Sequence, residues 1–422
     1  MLSREDNELV TRTGPGTPLG DAMRRYWMPA LMTSELPEAD CPPVRVGLLG
    51  EKLVAFRDSD GQVGLVAENC PHRGASLFFG RNEEAGLRCV YHGWKFDASG
   101  SCVDMPNEPP ESNFKHKVKV GAYPCIEMGG IVWTYMGPAD RRPPEPGYEW
   151  ARAPKGCTFV SKTLEECNYL QGVEGGIDSS HSSFLHRQFD DNPSLGANSY
   201  RARAGSPKLE VLRTDYGYSY ASIRHIKDEA KNFVRVYQFV MPFHQQRAFF
   251  GYLGRPVIQG HMWVPIDDST HFVWNWMYAI DGTPLSDEEI DIEERLTGRH
   301  PDDMIPGTFK LKRNRENDYG IDRQHQKTVN YTGIEGVNTQ DIALQETMGT
   351  IYDRTKEHLG TADLAVITTR RLLLQAIRDV QDGGDPLGAM TTSSHYVRAA
   401  EMLMPEDANW QESIKGELVA KW

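Results

Sequence analysis

The sequence predicts an α+β protein in which a small all-β domain precedes a larger domain with an extensive antiparallel sheet covered by helices. Residues 41–140 consist of short β-rich runs interrupted by Gly, Asp and Pro, which is typical of a small all-β module. Residues 208–280 contain longer alternating segments, and helical periodicity follows them. Because the chain has 422 residues, of which 39% are hydrophobic, it can bury more than one domain core.

Residues 1–40 are predicted to be an N-terminal segment that packs on the rest of the chain. They contain a Gly/Pro-rich stretch, GPGTPLGD, and then DAMRRYWMPALMTSEL, which we interpret as a short helix capped at Asp21. The all-β domain follows at residues 41–140, with strands in VRVGLLG, KLVAFRDSDG and GGIVWTYMG. The proline-rich, charged run PADRRPPEPGYEW indicates a linker at residues 138–150.

The second domain is expected to span residues 141–422. Its predicted strands include FVRVYQFVMPF and HFVWNWMYAI, in which the residue pattern alternates. Residues 340–358 and 361–381 are predicted helices, and the second has Thr361 as its N-cap and Gly383 and Gly384 as its stop signal. A block of strands followed by helices predicts an α+β domain with a large antiparallel sheet.

The composition argues against several classes of protein. A formal net charge of −13 argues against a nucleic-acid partner, because phosphate binding needs a basic face. No stretch reaches the roughly 18 consecutive apolar residues of a membrane span. The start, MLSREDNELVTRTGPG, has neither the basic flank nor the apolar core of a signal peptide. We therefore expect a cytoplasmic protein that binds neither nucleic acid nor membrane.

Two cysteines and two histidines have the spacing of metal ligands. Cys70, His72, Cys89 and His92 follow the pattern C-x-H, sixteen residues, C-x-x-H. Two thiolates and two imidazoles can bind tetrahedral zinc or a [2Fe–2S] cluster of the Rieske type. Glycines beside both pairs would let the backbone approach a cluster closely. The odd count of seven cysteines does not suggest disulfides, so the other five are interpreted as buried small side chains.

The pair of sequences CPHRG and YHGWKFD resembles the cluster-binding loops of the Rieske domain in ring-hydroxylating oxygenases. The resemblance implies that the N-terminal all-β domain is a Rieske [2Fe–2S] domain. It also implies that Cys70, His72, Cys89 and His92 bind the cluster. Neutral imidazole ligands raise the reduction potential above that of an all-thiolate cluster, which suits a centre that receives electrons from a reductase.

Two histidines and an aspartate form a second candidate constellation in NYLQGVEGGIDSSHSSFLH. His181 and His186 are five residues apart, which on an ideal helix separates them by about 140°. Both could reach one metal only if the helix widens or ends there, and Gly175 and Gly176 would permit such an irregularity. Asp178, three residues before His181, could orient its ring through a hydrogen bond. Taken alone, this spacing is a weak signal whose default interpretation is two structural histidines.

The run EGGIDSSHSSFLH resembles the mononuclear iron motif of the same oxygenases, D-x-x-H-x-x-x-x-H. The resemblance implies a catalytic domain with Fe(II) bound by His181, His186 and a carboxylate from a distant helix. Asp341, in GVNTQDIALQETMG, matches the family's Q-D-x-x-x-x-E segment best, and Glu346 is the competitor. The run IYDRTKEHLGTAD further resembles the phthalate dioxygenase branch, whose oxygenases have one type of subunit.

The resemblance implies an oxygenase component that uses O2 and electrons from an NAD(P)H-dependent reductase containing FMN and [2Fe–2S], or a similar one. It implies a homotrimer or stacked trimers in which Asp178 acts in catalysis by connecting His92 of one chain to His181 of the next. The expected reaction is the cis-dihydroxylation of an aromatic carboxylate of the phthalate, benzoate or phenoxybenzoate type. Three alternatives stay open: a monooxygenase or O-demethylase, a Rieske electron carrier without catalysis, and a zinc-stabilised binding protein.

A carboxylate substrate calls for an arginine, whose planar guanidinium makes bidentate pairs. Strand alternation in FVRVYQFVM places Arg235 on one face with three aromatic residues, Phe233, Tyr237 and Phe239. That arrangement suits a pocket lining, although an arginine at an edge or on the surface is the more ordinary interpretation. Two further candidates for substrate binding are Arg247 and Arg203.

Overall fold

The computed structural model describes residues 1–189, Tyr200, 204–250 and 254–422. The N-terminal segment contains α1 (Arg4–Thr11), α2 (Pro18–Met23) and β1 (Trp27–Met32). The prediction of a helix capped at Asp21 is wrong. The helix begins at Pro18, because the Thr17 hydroxyl accepts a hydrogen bond from the Gly20 amide (3.1 Å) and caps it. The run WMPALM is a buried strand instead, and it pairs with residues far along the chain.

The all-β region follows, and its predicted strands are confirmed. The strands are β2 (Val44–Leu48), β3 (Glu51–Arg57), β4 (Val63–Ala67), β5 (Arg81–Asn82), β6 (Leu87–Arg88), β7 (Lys95–Phe96), β8 (Cys102–Asp104), β9 (Ala122–Tyr123), β10 (Cys125–Met128) and β11 (Ile131–Tyr135). They form antiparallel sheets in the orders β1–β11–β10, β2–β3–β4–β9 and β5–β6–β7–β8. The last two sheets carry the cysteine–histidine loops at the ends of their strands.

A large antiparallel sheet dominates the rest of the chain, as predicted. Its strands are β12 (Thr158–Glu165), β13 (Lys208–Arg213), β14 (Gly217–Ile226), β15 (Lys231–Val240), β16 (His244–Phe250), β17 (Pro256–Pro265), β18 (His271–Ala279) and β19 (Ala400–Pro405). Their order is β12–β18–β17–β16–β15–β14–β13, and β19 pairs with the first part of β15. Two-residue alternation gives this sheet two faces with different roles.

One face of the large sheet carries most of its polar side chains. The register places Arg247 opposite both Tyr237 and Gln259, so these three side chains share a face. Gln245, two residues before Arg247, donates a hydrogen bond to the Gly176 carbonyl (2.8 Å). This face therefore lies beneath the segment that contains the predicted iron ligands.

The helices cover the large sheet. They are α3 (Glu149–Arg152), α4 (Tyr169–Ile177), α5 (Asp287–Thr297), α6 (His325–Thr328), α7 (Val337–Thr347), α8 (Leu364–Gln381) and α9 (Trp410–Ile414). None of the helices in the described ranges is long and apolar enough to cross a membrane. The predicted helix at residues 361–381 is present, but Thr361 starts a 3₁₀ turn and does not cap it; the α-helix begins at Leu364 after Asp363.

The helix predicted at residues 340–358 is only half right. It spans Val337–Thr347, and the chain then turns at Gly349, whose φ of +94° favours glycine. The residues that follow pack along α4, where the Tyr352 amide donates to the Gln171 side chain (2.9 Å). Contacts with another part of the chain therefore override the local helical pattern.

The glycines of α4 allow close packing and do not make the helix irregular, contrary to our expectation. Both Gly175 and Gly176 lie inside the regular helix. A Cβ atom at Gly176 would lie 2.0 Å from the Trp263 ring, and one at Gly175 would lie 2.2 Å from the Gln345 side chain. The helix can therefore approach β17 and α7 only because these positions lack side chains.

Candidate metal centres

The two cysteine–histidine loops have the same local structure. In each loop the glycine amide donates back to the cysteine carbonyl, over 2.8 Å at Gly74 and 2.9 Å at Gly93. Each cysteine amide donates to the carbonyl of the residue after that glycine, over 2.8 Å in both cases. Both glycines have positive φ, +77° and +78°, which residues with side chains rarely adopt. The sequence thus builds two equivalent turns that carry one cysteine and one histidine each.

The four side chains of these loops converge. Cys70 and Cys89 are buried, and the rings of His72 and His92 are 4.5 Å apart. Burial raises the pKa of the Cys70 thiol to about 11, and the adjacent Cys89 thiol contributes. Each histidine has a buried Nδ1 atom without a hydrogen-bonding partner among the described residues. Two buried thiols beside two imidazole nitrogens that have no partner among the described residues fit a bound metal group, which would deprotonate the thiols.

The second constellation brings together three side chains from two distant segments. His181 Nε2 lies 3.2 Å from His186 Nε2, and Asp341 Oδ1 lies 3.6 Å and 3.3 Å from these two atoms. The two histidines can meet because α4 ends at Ile177 and His181 begins a separate 3₁₀ turn. One ligand atom from each residue lies within 4.8 Å of the others, which suits a single metal ion.

Hydrogen bonds orient both imidazole rings. The Gln340 amide nitrogen donates to the Ile334 carbonyl (2.8 Å), which leaves its oxygen to accept from His186 Nδ1 (2.8 Å). His186 Nε2 is then the ring atom that faces His181 and Asp341, where it is placed to bind a metal. Sequence reasoning missed Gln340, although it immediately precedes Asp341 in the matched motif. On the other ring, His181 Nδ1 lies 3.4 Å from Asp178 Oδ2.

Both carboxylates at this centre are ionised. Burial raises the pKa of Asp178, but hydrogen bonds from His181 and Ser180 outweigh this effect and lower it to about 2. For Asp341 burial again raises the pKa, and the charges of His186, His181 and Arg247 reverse the shift and lower it. An anionic carboxylate beside two imidazoles is the donor set that Fe(II) oxygenases use.

The competitor Glu346 lies elsewhere. Asp341 and Glu346 are five residues apart on α7, so they point in directions that differ by about 140°. Glu346 accepts hydrogen bonds from the Glu166 amide (2.7 Å) and the Tyr319 hydroxyl (2.5 Å). The structure therefore brings Asp341, and not Glu346, to the two histidines.

The three candidate arginines have different surroundings. Arg235 is buried, and its Nε atom lies 3.1 Å from a carboxylate oxygen of Glu401. The Arg247 side chain lies on the sheet face beneath the second centre, and its charge lowers the pKa of Asp341. Its Nε atom is buried without a partner among the described residues, and its Nη2 atom is 3.4 Å from Gln259. Arg203 lies outside the described residues.

Both parts of the chain match known families. The Rieske [2Fe-2S] domain family matches residues 26–124, and the family described as LigXa C-terminal domain like matches residues 134–419. The phthalate 4,5-dioxygenase oxygenase subunit of Pseudomonas putida is 37% identical, over 98% of this chain and 94% of its own. This chain belongs to the Rieske oxygenases, in the phthalate dioxygenase-like branch. It is an oxidoreductase whose cofactors are a Rieske [2Fe–2S] cluster and a mononuclear iron.

Other relatives of this Rieske oxygenase differ in their named reactions. The 3-chlorobenzoate-3,4-dioxygenase oxygenase subunit of Comamonas testosteroni is 38% identical over 98% of each chain. The 5,5'-dehydrodivanillate O-demethylase oxygenase subunit of a Sphingobium species is 33% identical over 92% of this chain and 83% of its own. The structure of NdmA from Pseudomonas putida CBB5 superposes with a TM-score of 0.62 over 93% of this chain and 100% of its own, at 19% identity. That likeness confirms the fold.

Proposed function

We propose that this oxygenase cis-dihydroxylates an aromatic carboxylate, using O2 and electrons that a reductase takes from NAD(P)H. The observation that carries the substrate class is Arg247, a guanidinium near Asp341 whose Nε has no partner among the described residues. A cation in such surroundings is a ready partner for a carboxylate, which it can bind through two parallel hydrogen bonds. The named reactions of two dioxygenase relatives, on a phthalate and a chlorobenzoate, agree with such a substrate.

The first centre is proposed to hold the [2Fe–2S] cluster through Cys70, His72, Cys89 and His92. The pairing of two equivalent loops and the two unpartnered Nδ1 atoms support this assignment. When bound, the cluster supplies electrons one at a time. The protein contributes the buried sulfur environment and the stacking of His72 on Trp94, whose ring centroids are 4.2 Å apart.

The second centre is proposed to hold the mononuclear iron through His181, His186 and Asp341. Such a two-histidine, one-carboxylate set leaves coordination positions open, and the iron it holds supplies O2 activation. Gln340 keeps His186 in the tautomer that presents Nε2, and Asp178 orients His181. Arg247 would hold the substrate's carboxylate so that the ring faces this centre.

Asp178 is proposed to be the catalytic link between subunits of a homotrimer or of stacked trimers. Its side chain is 23% exposed although it binds His181, so a second group can reach it. Beside the cluster, Val90 and Tyr91 are 58% and 54% exposed, which leaves an apolar surface for an interface to cover. In this arrangement Asp178 would hydrogen-bond His92 of the partner subunit, which would give electrons a short path between the two centres.

Monooxygenation is the second candidate function. The same metal centres would serve it, and a relative that is 33% identical is named an O-demethylase. The two reactions differ in their products, because dihydroxylation places both oxygen atoms of O2 in the substrate. Incubation with 18O2, a reductase, NADH and a series of benzoates, phthalates and methoxybenzoates therefore separates them. A doubly labelled cis-diol supports the first proposal, whereas a singly labelled phenol or released formaldehyde supports the second.

Replacing the arginines tests whether the enzyme binds its substrate through a carboxylate. Arg247→Met should raise the KM for the best acid by about 30-fold or more, since loss of a buried charge partner costs about 2–5 kcal/mol. Arg235→Met is the matched control, because Arg235 is already paired with Glu401. The methyl ester of the same acid should be a poor substrate for the wild type. Equal KM values for acid and ester, or an unchanged KM in Arg247→Met, would remove the carboxylate from the proposal.

A further inference from the structure

Arg224 is a buried arginine on β14 that contacts the loop between Asp178 and His186. Its side chain is 2% exposed, and both terminal nitrogens donate hydrogen bonds. Nη2 donates to the Ser179 carbonyl (2.6 Å), and Nη1 donates to the Ser183 hydroxyl (3.0 Å) and the Ala204 carbonyl (2.6 Å). Nη2 also lies 3.5 Å from the Ser182 hydroxyl. One side chain therefore contacts this loop at Ser179, Ser182 and Ser183.

In the part of the chain that the structure describes, neutral oxygen atoms, and not a carboxylate, surround the positive charge of Arg224. No carboxylate among the described residues lies within ion-pair distance of it, and its hydrogen bonds go to carbonyl and hydroxyl oxygens. The Ser179 carbonyl that binds Nη2 lies two residues after the last residue of α4, Ile177. Burying a charge without an opposite charge costs desolvation free energy. A role of Arg224 in arranging the loop that it binds would account for that cost.

Arg224 connects this loop to β14 of the large sheet. The loop's internal hydrogen bonds are short-range: the Ser182 hydroxyl donates to the Ser179 carbonyl (2.9 Å), and the Ser183 amide donates to the Ser180 carbonyl (3.2 Å). These bonds shape the turn but do not fix its distance from β14. The guanidinium supplies that connection, with two nitrogens in one plane that reach different parts of the loop.

We propose that Arg224 is a positioning residue, which holds the loop of residues 178–183 so that His181 and Asp178 face the mononuclear iron and the subunit boundary. This inference rests on the proposed role of the two histidines as iron ligands. A lysine cannot replace the arginine here, because its single ammonium group cannot reach the Ser179 carbonyl and the Ser183 hydroxyl in the same fixed geometry. The positive charge alone is therefore insufficient.

The test measures metal affinity in protein that keeps its cluster but has been depleted of mononuclear iron. Arg224→Lys should bind Fe(II) roughly 10–100-fold more weakly than the wild type, the range for loss of a group that orients a metal ligand. With Co(II) in the same site, its visible bands should shift, because the angle of the His181 ring changes. Arg398→Lys is the matched control: Arg398 is equally buried and pairs with Glu149. It should lower the melting temperature without changing either metal measurement.

Two further variants keep the outcomes distinct. His181→Ala must abolish Fe(II) binding; if it does not, the proposed iron site is wrong and the Arg224 inference fails with it. If His181→Ala loses the iron while Arg224→Lys binds Fe(II) within twofold of the wild type, with an unchanged Co(II) spectrum, only the Arg224 inference is overturned. Should Arg224→Lys not fold, Ser183→Ala removes one contact and should weaken Fe(II) binding by a smaller factor; wild-type affinity there would also overturn it.

Discussion

Both carboxylate oxygens of Asp178 make contacts within its own subunit. Oδ1 accepts hydrogen bonds from the Ser180 amide (2.7 Å) and hydroxyl (2.6 Å), and Oδ2 lies 3.4 Å from His181 Nδ1. These contacts keep the group ionised, with a pKa of about 2. Its position beside His181, a proposed iron ligand, makes Asp178 a candidate for the electron path between the two centres.

Replacing Asp178 with asparagine should separate electron transfer from metal binding. Asp178→Asn keeps the size and one acceptor but removes the charge that orients His181. We expect an intact cluster spectrum, largely retained mononuclear iron and electron transfer from reduced cluster to iron that is slower by roughly 10–100-fold. Single-turnover kinetics with prereduced protein give this rate directly. Unchanged transfer, or loss of the iron itself, would contradict the bridging role.

Alternation along β15 correctly predicts that Arg235 shares a face with aromatic residues, but it cannot reveal the partner of a side chain. The Glu401 carboxylate forms an ion pair with Arg235. Glu401 belongs to β19, and the local sequence pattern does not show that β19 pairs with β15. Arg247, on the same face of the sheet, has an Nε atom without a partner among the described residues. Similarly, Gln340 contacts a histidine that lies 154 positions earlier in the chain. Tertiary contacts of this kind explain the residues that sequence reasoning missed.

At the scale of elements, predictions succeed where spacing itself determines structure. The two cysteine–histidine loops, with glycine four residues after each cysteine, form the turns that the motif requires. The strands of the large sheet follow from their two-residue alternation. The helix predicted over residues 340–358 ends at Thr347, because the residues that follow it contact α4. Likewise WMPALM becomes β1 because its partner strand, β11, lies about one hundred residues away.

A buried histidine on β16, His244, makes the stability of the protein depend on pH. His244 faces away from the iron side, among Tyr148, Trp150 and Trp276, with both ring nitrogens buried and unpartnered among the described residues. Burial lowers the pKa of its imidazole to about 3. An unfolded chain binds that proton near pH ~6.5, so the free energy of unfolding falls as the pH drops from about 6.5 towards about 3.

Replacing His244 should reduce the loss of stability, measured as the free energy of unfolding, between pH 7.5 and pH 5. His244→Phe keeps an aromatic ring in the same surroundings but has no proton to bind. Its free energy of unfolding, relative to that of the wild type, should be larger by about 2 kcal/mol at pH 5 than at pH 7.5. Urea unfolding at both pH values measures the difference, and the histidines common to both proteins cancel. The same relative stability at pH 5 and pH 7.5 would refute this effect of burial.

At the scale of the whole molecule, the proposal requires electrons to cross between chains. Subunits without a cluster, made by Cys70→Ser, and subunits without mononuclear iron, made by His181→Ala, should each be inactive alone. Mixed assemblies should recover part of the wild-type turnover, because an intact cluster then lies beside an intact iron site in a neighbouring chain. Differently tagged subunits allow mixed assemblies to be purified. Verified mixtures that remain inactive would show that electrons do not cross the interface.

The central claim is that one chain holds two separate metal centres, and metal analysis tests it most directly. Wild-type protein should contain about three irons and two acid-labile sulfides per chain. Asp341→Ala should contain about two irons, with the visible spectrum of the cluster unchanged. Glu346→Gln, on the same helix but hydrogen-bonded to Tyr319, should retain all three. If Asp341→Ala keeps its third iron, or if Glu346→Gln loses it, the assignment of the catalytic centre is contradicted.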